Sequence, residues 1–424
     1  MSPDQSEAYD VFDRGENLFL TGAGGTGKSH LIRQFALKKT RNVQVCAMTG
    51  TAAMLLECAA STLHSWAGIG TGKGDLMAKV TDSFFAKKKW REVDTLVLDE
   101  VSMLDQDLFE KLDAIAKKVR RSSLPFGGMQ VVFCGDFCQL PPVSESGAAN
   151  YCFQSALWDV TFPNELMLST IHRQKDAAFC KILQQLRLGK ITRSSYDLLM
   201  SRVLSETRRL EFPTTQIVPT REKAEHINRT EYEKLQAEEH VFISKVIYDY
   251  EMSTKKRKLR SGVSQQQLRS VGDQLQAKRA THVLKLKEGA HVMCVHNIDA
   301  RLCNGTQGTV VRFEAGAPVV KIDRTGEIRR VGPVTIESDQ IEGVAVVQVP
   351  LMYAWAITIH KAQGATLDAA VIDVGDGIFE SGQTYTALSR LSSFDYLYLS
   401  SFNPEKIKTN PLVIDYYKKT FPGI

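Results

Sequence analysis

Glu16-Asn17-Leu18-Phe19-Leu20-Thr21-Gly22-Ala23-Gly24-Gly25-Thr26-Gly27-Lys28-Ser29, followed by HLIRQFALKK, is the stretch that decides the fold. Residues 16–21 read as a short buried strand that runs directly into a Gly-rich turn. Leu31, Ile32, Phe35 and Ala36 then fall on one side of a helix. Strand, Gly loop and helix in this order make a phosphate-binding βα unit. Gly22 to Ser29 matches G-x-x-x-x-G-K-[ST], and each residue type has a reason to be there. Gly22, Gly24, Gly25 and Gly27, with Thr26 among them, let backbone N–H groups turn inward around phosphate oxygens. The helix start adds its partial positive charge. Lys28 is the point charge for the β and γ phosphates, and the Ser29 hydroxyl is a ligand for Mg²⁺. The expected cofactors are therefore ATP and Mg²⁺. A Gly-rich turn arising by chance would lack the flanking strand and helix.

Working outward, NVQVCAM (42–48), DTLVLDE (94–100) and GMQVVFCGD (128–136) are further apolar strands. Their alternation with helices predicts an α/β fold, a parallel sheet covered on both faces. Asp99 and Glu100 end the third of these four strands. Asp99 suits a magnesium ion opposite the phosphate loop, and Glu100 suits acceptance of a proton from an attacking water. A solvated acidic loop is the bland alternative. Gln139, just after the fourth strand, is placed to report the γ phosphate to the rest of the chain.

At 424 residues the chain exceeds one ordinary core, and two to four domains are expected. A 43% hydrophobic and 24% charged composition fits a soluble globular protein. No apolar run of spanning length appears, and the start lacks the order of a secretory signal, so no membrane role is expected. The net charge of +5 is mild, but residues 251–290 carry ten Lys or Arg against three acids. That local excess, including Lys255 to Lys258, is either a polyanion footprint or a solvated loop. Eight cysteines without a C-x-x-C pair read as buried reduced thiols of an intracellular protein, with nucleus or mitochondrion in a eukaryote, and otherwise cytoplasm or viral factory, left open. A second α/β alternation begins near residue 171. Between about 243 and 348 short alternating strands and an Asn304–Gly305 turn read as a small inserted β-barrel. Its polar lead-in, 252–280, reads as either a loop or a helix.

The run Gly135-Asp136-Phe137-Cys138-Gln139-Leu140-Pro141-Pro142 resembles motif III of superfamily-one helicases. Ser2 to Gln5 resembles the Q motif, Thr49 to Ala53 motif Ia, Thr62 to Ser65 motif Ib and Ile171 to Gln174 motif IV. Ala356 to Leu367 resembles motif V, and Tyr385 to Arg390 motif VI. Leu112 to Arg120, leading into Pro125 to Gln130, is similar to the signature of the Pif (petite integration frequency) helicases of superfamily 1B.

That resemblance implies two RecA-like parallel-sheet domains, 1–170 and 171–242 with 349–424. A short wedge near 67–76 and an SH3-like barrel at 243–348 would be inserted in them. It implies 5′→3′ movement on single-stranded DNA, with forked DNA as a partner and a monomeric motor. By resemblance Gln5 reads adenine, Gln363 and Gly364 line the nucleotide, and Arg173 and Arg390 are the catalytic arginines of the second domain. Lys28, Glu100 and Gln139 complete the catalytic set. Thr49, Thr51 and His64 on the first domain, and Thr358, His360 and Lys361 on the second, are the expected DNA contacts. Against the histidines stands ordinary burial, and Trp66 and Trp355 are left to the core. Thr220 is followed by Arg221 where the family usually has Asn, which puts one DNA contact in doubt. The competing reading is a DNA-stimulated ATPase that clamps or remodels without separating strands. A small-molecule kinase is disfavoured by motifs III, V and VI.

Overall fold

Strands β1 (Leu18–Gly22), β2 (Val43–Ala47), β3 (Ser61–Thr62), β4 (Thr95–Asp99), β5 (Gln130–Gly135) and β6 (Asn164–Leu168) form one sheet in the order β3-β2-β4-β5-β1-β6. Every neighbouring pair is parallel, with Leu18 opposite Val132 and Asn164, and Val97 opposite Val45 and Val132. The computed structural model describes residues 1–422 except 39, 57, 71, 144–149, 206–213, 249–264, 280–281, 297, 300–301, 303–304, 324, 339–343 and 368. β1, β4 and β5 are buried along their whole length. Both faces are covered, which is why these strands are apolar at every step rather than at alternate ones.

Leu18, Leu20, Val45, Ala47, Val97 and Val132 meet Ala8, Val11 and Phe12 of the helix Pro3–Asp13 and Leu31, Ile32 and Phe35 of the helix Lys28–Ala36. Phe12 and Phe35 stack with ring centroids 4.3 Å apart. The opposite face is aromatic. Phe19 and Phe133 contact Trp158, and Phe133 also meets Phe109 and Phe162. Truncating such a ring to alanine costs about 3–5 kcal/mol, so this layer rigidly sets the strand ends above it.

The family-signature segment turns out to be a packing device. The helix Gln106–Arg120 is capped by Asp105, whose side chain accepts the Leu108 N–H at 2.7 Å. About two turns from its end the buried Asp113 accepts the Phe126 N–H at 2.8 Å and pairs with Lys117 at 2.7 Å. Phe126 has φ +47° and Gly127 φ +62°, and a Cβ on Gly127 would lie 2.6 Å from the Ala116 carbonyl oxygen. Only glycine permits that approach, which aims the chain into β5.

A second sheet, ordered (Ala356–Thr358)-(Gln216–Val218)-(Ala370–Val374)-(Leu397–Phe402), has its 370–374 strand parallel to both neighbours. This second lobe and the first form one compact unit, Met1–Arg221 with Ile357–Ile424.

Glu222–Ala356 is the other unit. It contains the five-stranded antiparallel sheet (Ile328–Arg330)-(Ala317–Ile322)-(Gln307–Glu314)-(His291–Cys294)-(Leu351–Tyr353) and a three-stranded one, (Val334–Glu337)-(Val344–Gln348)-(Lys245–Tyr248). Its limits are wider than the expected 243–348, for two reasons. Leu351–Tyr353 pairs with His291–Cys294, and Leu235 and Trp355 pack on the core of this unit. Part of the polar lead-in is the helix Gln265–Arg279, whose Leu268, Val271 and Leu275 pack against Val344, Val346 and Ile336. Lys255 to Lys258, Cys303 and Asn304 of the expected turn lie outside the described residues. No helix among the described residues is long and apolar enough to cross a membrane. Among the described cysteines, Cys46, Cys134, Cys138, Cys152 and Cys294 are buried.

Candidate functional site

In a parallel sheet all strands point the same way, so everything that follows a strand collects at one edge. The phosphate loop follows β1, Asp99 and Glu100 end β4, and Asp136 to Gln139 follow β5. Those three strands are consecutive in the sheet, β4-β5-β1 running toward its β6 end. Thr49 and Thr51 follow β2 and His64 follows β3, at the other end of the same edge.

The phosphate loop is held in a conformation that only its glycines allow. Gly25 has φ +89°, and a Cβ there would meet Arg173 Cβ at 2.6 Å. Gly27 has φ +91° and caps the Lys28–Ala36 helix. A Cβ on Gly27 would lie 2.5 Å from Gln5 Nε2. The Gln5 amide donates to the Thr26 carbonyl at 3.3 Å and accepts the Ser2 N–H at 3.1 Å, tying the first helix to the loop. Lys28 Nζ donates to the carbonyls of Gly22 at 2.5 Å and Ala23 at 3.1 Å. Burial lowers the pKa of Lys28 against the opposing pull of Asp136, Glu100 and Asp99. Ser29 is exposed.

Asp99 is 6% exposed and lies beside Glu100, which stands at φ +55° and donates its N–H to Asp99 Oδ1 at 2.9 Å. Burial first and the Glu100 charge second push the Asp99 carboxyl up to about 7. Glu100 Oε2 accepts the Gln363 amide at 2.9 Å, and Gly364, at φ +81°, passes within reach of Glu100 Oε1. Gln363 thus bonds the acid that follows β4, with Gly364 next to it in the chain.

Two guanidinium groups from residues that follow β6 lie on the loop. Arg390, 2% exposed, donates from Nε to the Thr386 carbonyl at 2.9 Å and from Nη2 to Ser389 Oγ at 2.7 Å and Gln139 Oε1 at 3.4 Å. Its Nη2 also lies 3.6 Å from where a Gly24 Cβ would be. Arg173 donates to the Ser389 carbonyl at 2.8 Å. Burial, then the neighbouring Arg390 charge, lowers Arg173 to about 10. Lys28, Gln139, Arg173 and Arg390 are thereby drawn to one wall-to-wall site.

The other expected nucleic-acid contacts stand apart from it. Thr49 caps the Gly50–Leu55 helix, accepting the Ala52 N–H at 3.1 Å. His64 lies beside Gly72. Thr358 is buried and caps Ile359–Ala362 by accepting the Lys361 N–H at 3.3 Å. Lys361 is exposed, and burial lowers the His360 pKa against the pull of Glu380. Trp66 is buried and Trp355 half-buried.

Sequence reasoning missed a buried polar cluster next to the loop. Asp136, fully buried, accepts Arg187 Nε at 3.2 and 3.0 Å and Nη2 at 3.0 Å. It also accepts the hydroxyls of Tyr385 at 3.0 Å and Tyr417 at 3.3 Å. Arg187 shares the buried stripe of the helix Ala177–Arg187 with Phe179, Ile182, Leu183 and Leu186. A cation at a core-facing position was the available signal for a buried partner.

A phosphate loop after β1, an acidic pair at the end of β4, one strand removed from it, and two arginines laid on the loop define a P-loop nucleotide-dependent motor. The family model "PIF1-like helicase" matches residues 1–197, and "DNA helicase Pif1, 2B domain" matches 275–313. The chain is 35% identical over 432 residues to "ATP-dependent DNA helicase Pif1" of Bdellovibrio bacteriovorus, covering 100% of this chain and 93% of that protein. It superposes on the Pif1 helicase from Candida albicans with a TM-score of 0.81 at 33% identity, covering 99% of each. Against Bacteroides Pif1 bound to ssDNA the TM-score is 0.71 at 25% identity, covering 99% and 96%. The chain belongs to the PIF1-like helicase family. It spans 61% to 64% of the length of the fungal and vertebrate relatives it matches at 32–34% identity.

Proposed function

We propose that this protein is an ATP-dependent DNA helicase that moves 5′→3′ on single-stranded DNA and opens forked duplexes. The observation that carries the reading is Arg390 lying on the Gly24 side of the phosphate loop and bonded to Gln139. The family's names and its DNA-bound members supply the substrate.

Lys28 turns from the loop carbonyls to the β and γ phosphates of ATP, while Arg173 and Arg390 fork onto γ-phosphate oxygens from the other lobe. Permanently charged, planar donors in a water-poor cleft stabilise the charge that spreads as the bond to the γ phosphorus breaks. Glu100 accepts the proton of the attacking water, and Gln363 holds its carboxylate. Mg²⁺ fits the donor set: Asp99 is buried beside a second carboxylate, and the Ser29 hydroxyl opens the adjacent helix. Bound there, the metal would neutralise phosphate charge. The γ phosphate bridges the lobes, so its loss loosens them, and alternate gripping of the strand then becomes movement.

The two lobes act as RecA-like domains. The glycines around 67–76 act as the wedge, and the small unit acts as an SH3-like accessory domain. Thr49, Thr51, His64, Thr358, His360 and Lys361 hold phosphates and bases without reading sequence. Because one chain carries both walls of the ATP site, a monomer suffices for turnover.

The test compares ATP turnover and strand displacement on matched duplexes with a 5′ or a 3′ tail. Displacement confined to the 5′-tailed fork supports the proposal. DNA-stimulated ATPase without displacement on either would replace it with the clamp, and turnover indifferent to DNA would remove both.

A further inference from the structure

The geometry points to Tyr385 as a positioning residue whose hydroxyl docks the second lobe onto the phosphate loop and so sets Arg390 beside Gln139. This rests on the ATPase reading above and deepens it.

A phenol has one proton to give and lone pairs to accept, and Tyr385 uses both. It accepts the Gly24 N–H at 2.8 Å and donates to Asp136 Oδ2 at 3.0 Å. Tyr417 makes the parallel link. It accepts the Phe137 N–H at 3.1 Å, shares a 2.6 Å bond with Thr21 Oγ1, and reaches Asp136 Oδ1 at 3.3 Å. If Thr21 donates to Tyr417, all the protons run one way. Two groups flanking the start of the phosphate loop then feed, through two phenols of the second lobe, into one carboxylate of the first.

The acceptor is strong because it is charged. Burial works to raise the Asp136 pKa, but the Arg187 charge and hydrogen bonds outweigh it and hold it below the usual range. Arg187 also covers the Tyr417 ring at 4.8 Å. The docked helix, Gln383–Leu388, has Tyr385 buried within it, and Arg390 follows just past its C-cap Ser389. At its start Gly382 has φ +77°, and a Cβ there would collide with the Gln139 and Cys138 carbonyl oxygens. Helix start, Tyr385 and Arg390 thus meet three points of the ATP wall: the Gln139 backbone, Gly24 and the Gln139 side chain. A hydroxyl in the middle of that contact controls the angle at which the guanidinium arrives.

Tyr385→Phe keeps the ring and removes only the oxygen. With saturating single-stranded DNA, kcat for ATP should fall about tenfold, roughly 1.4 kcal/mol of barrier, while the KM for ATP stays within about twofold and the melting transition is retained. A loss through mere loosening of the site would raise the KM for ATP as well. The decisive arm is a cycle with Arg390→Ala, read as single-turnover hydrolysis so that slow rates remain measurable. If Tyr385 acts through Arg390, Tyr385→Phe costs less than about twofold in the Arg390→Ala background. Independent, multiplying losses, or an unchanged kcat in Tyr385→Phe alone, would overturn the assignment. Absence of DNA-stimulated hydrolysis in the unsubstituted protein, or its survival in Lys28→Ala, would instead overturn the ATPase reading itself.

Discussion

Replacing Arg187 by leucine removes the cation from a carboxylate that no water reaches. Asp136 is 0% and the Arg187 side chain 8% exposed, and three N–H···O contacts of 3.0–3.2 Å join them. Breaking a buried pair by deleting one partner costs about 3–5 kcal/mol, because the other charge stays behind. Asp136 would still keep Tyr385, Tyr417 and the Cys138 N–H as donors, which places the loss near the lower end, about 3 kcal/mol. The assay is urea unfolding at pH 7, following tryptophan emission of the larger unit. Asp136→Asn combined with Arg187→Leu should recover about half of the loss, since a neutral amide needs no counter-charge. The pH dependence has a definite sign. In the wild type the folded carboxyl pKa is depressed, so its stabilisation is complete above the unfolded value of about 3.9 and is lost as pH falls below it. In the variant, only Lys28 and the remaining hydrogen bonds oppose burial, which shifts the balance toward the protonated carboxyl. Both effects narrow the gap between the proteins on acidification. A loss below about 1 kcal/mol at pH 7, or a gap that widens in acid, would refute the reasoning.

Lys28→Ala should abolish ATP hydrolysis, measured as phosphate release with DNA present. Glu100→Gln should retain nucleotide binding, measured by fluorescent-ADP titration, while turnover falls by about 10²–10⁴; normal turnover would remove Glu100 from the proton-accepting role. Arg390→Ala should lower kcat by about 10³ or more, and a loss confined to KM would argue that Arg390 only binds. Asp99, raised to about 7 by burial and Glu100, destabilises the fold progressively as pH rises from about 4 toward 7. In metal-free buffer Asp99→Asn should therefore raise the melting temperature at pH 8 and leave it little changed at pH 4; the opposite order would contradict that cause.

Much of the first lobe could be read along the chain. The strands containing Leu18, Val45, Leu96 and Val131 are apolar because helices cover both faces, and that leaves a local mark in the sequence. The limits of the small unit were harder to see. Leu351–Tyr353 looks like one continuous run with the strand before it, and only its pairing with His291–Cys294 assigns it to that unit. The helix Gln265–Arg279 was ambiguous because its apolar residues are few among polar ones.

What the sequence by itself determined is chemistry held within a few consecutive residues. The loop from Gly22 to Ser29, the Asp99–Glu100 pair and the motif runs each need only a local turn to present their groups. Tertiary structure alone decided which distant groups meet them. Tyr385 reaches Gly24 across 361 positions, Tyr417 reaches Asp136 across 281, and Arg187 finds the same carboxylate. No periodicity encodes those meetings. They arise because a parallel sheet gathers its strand ends on one edge, and a second lobe can then lay its own side chains across all of them at once.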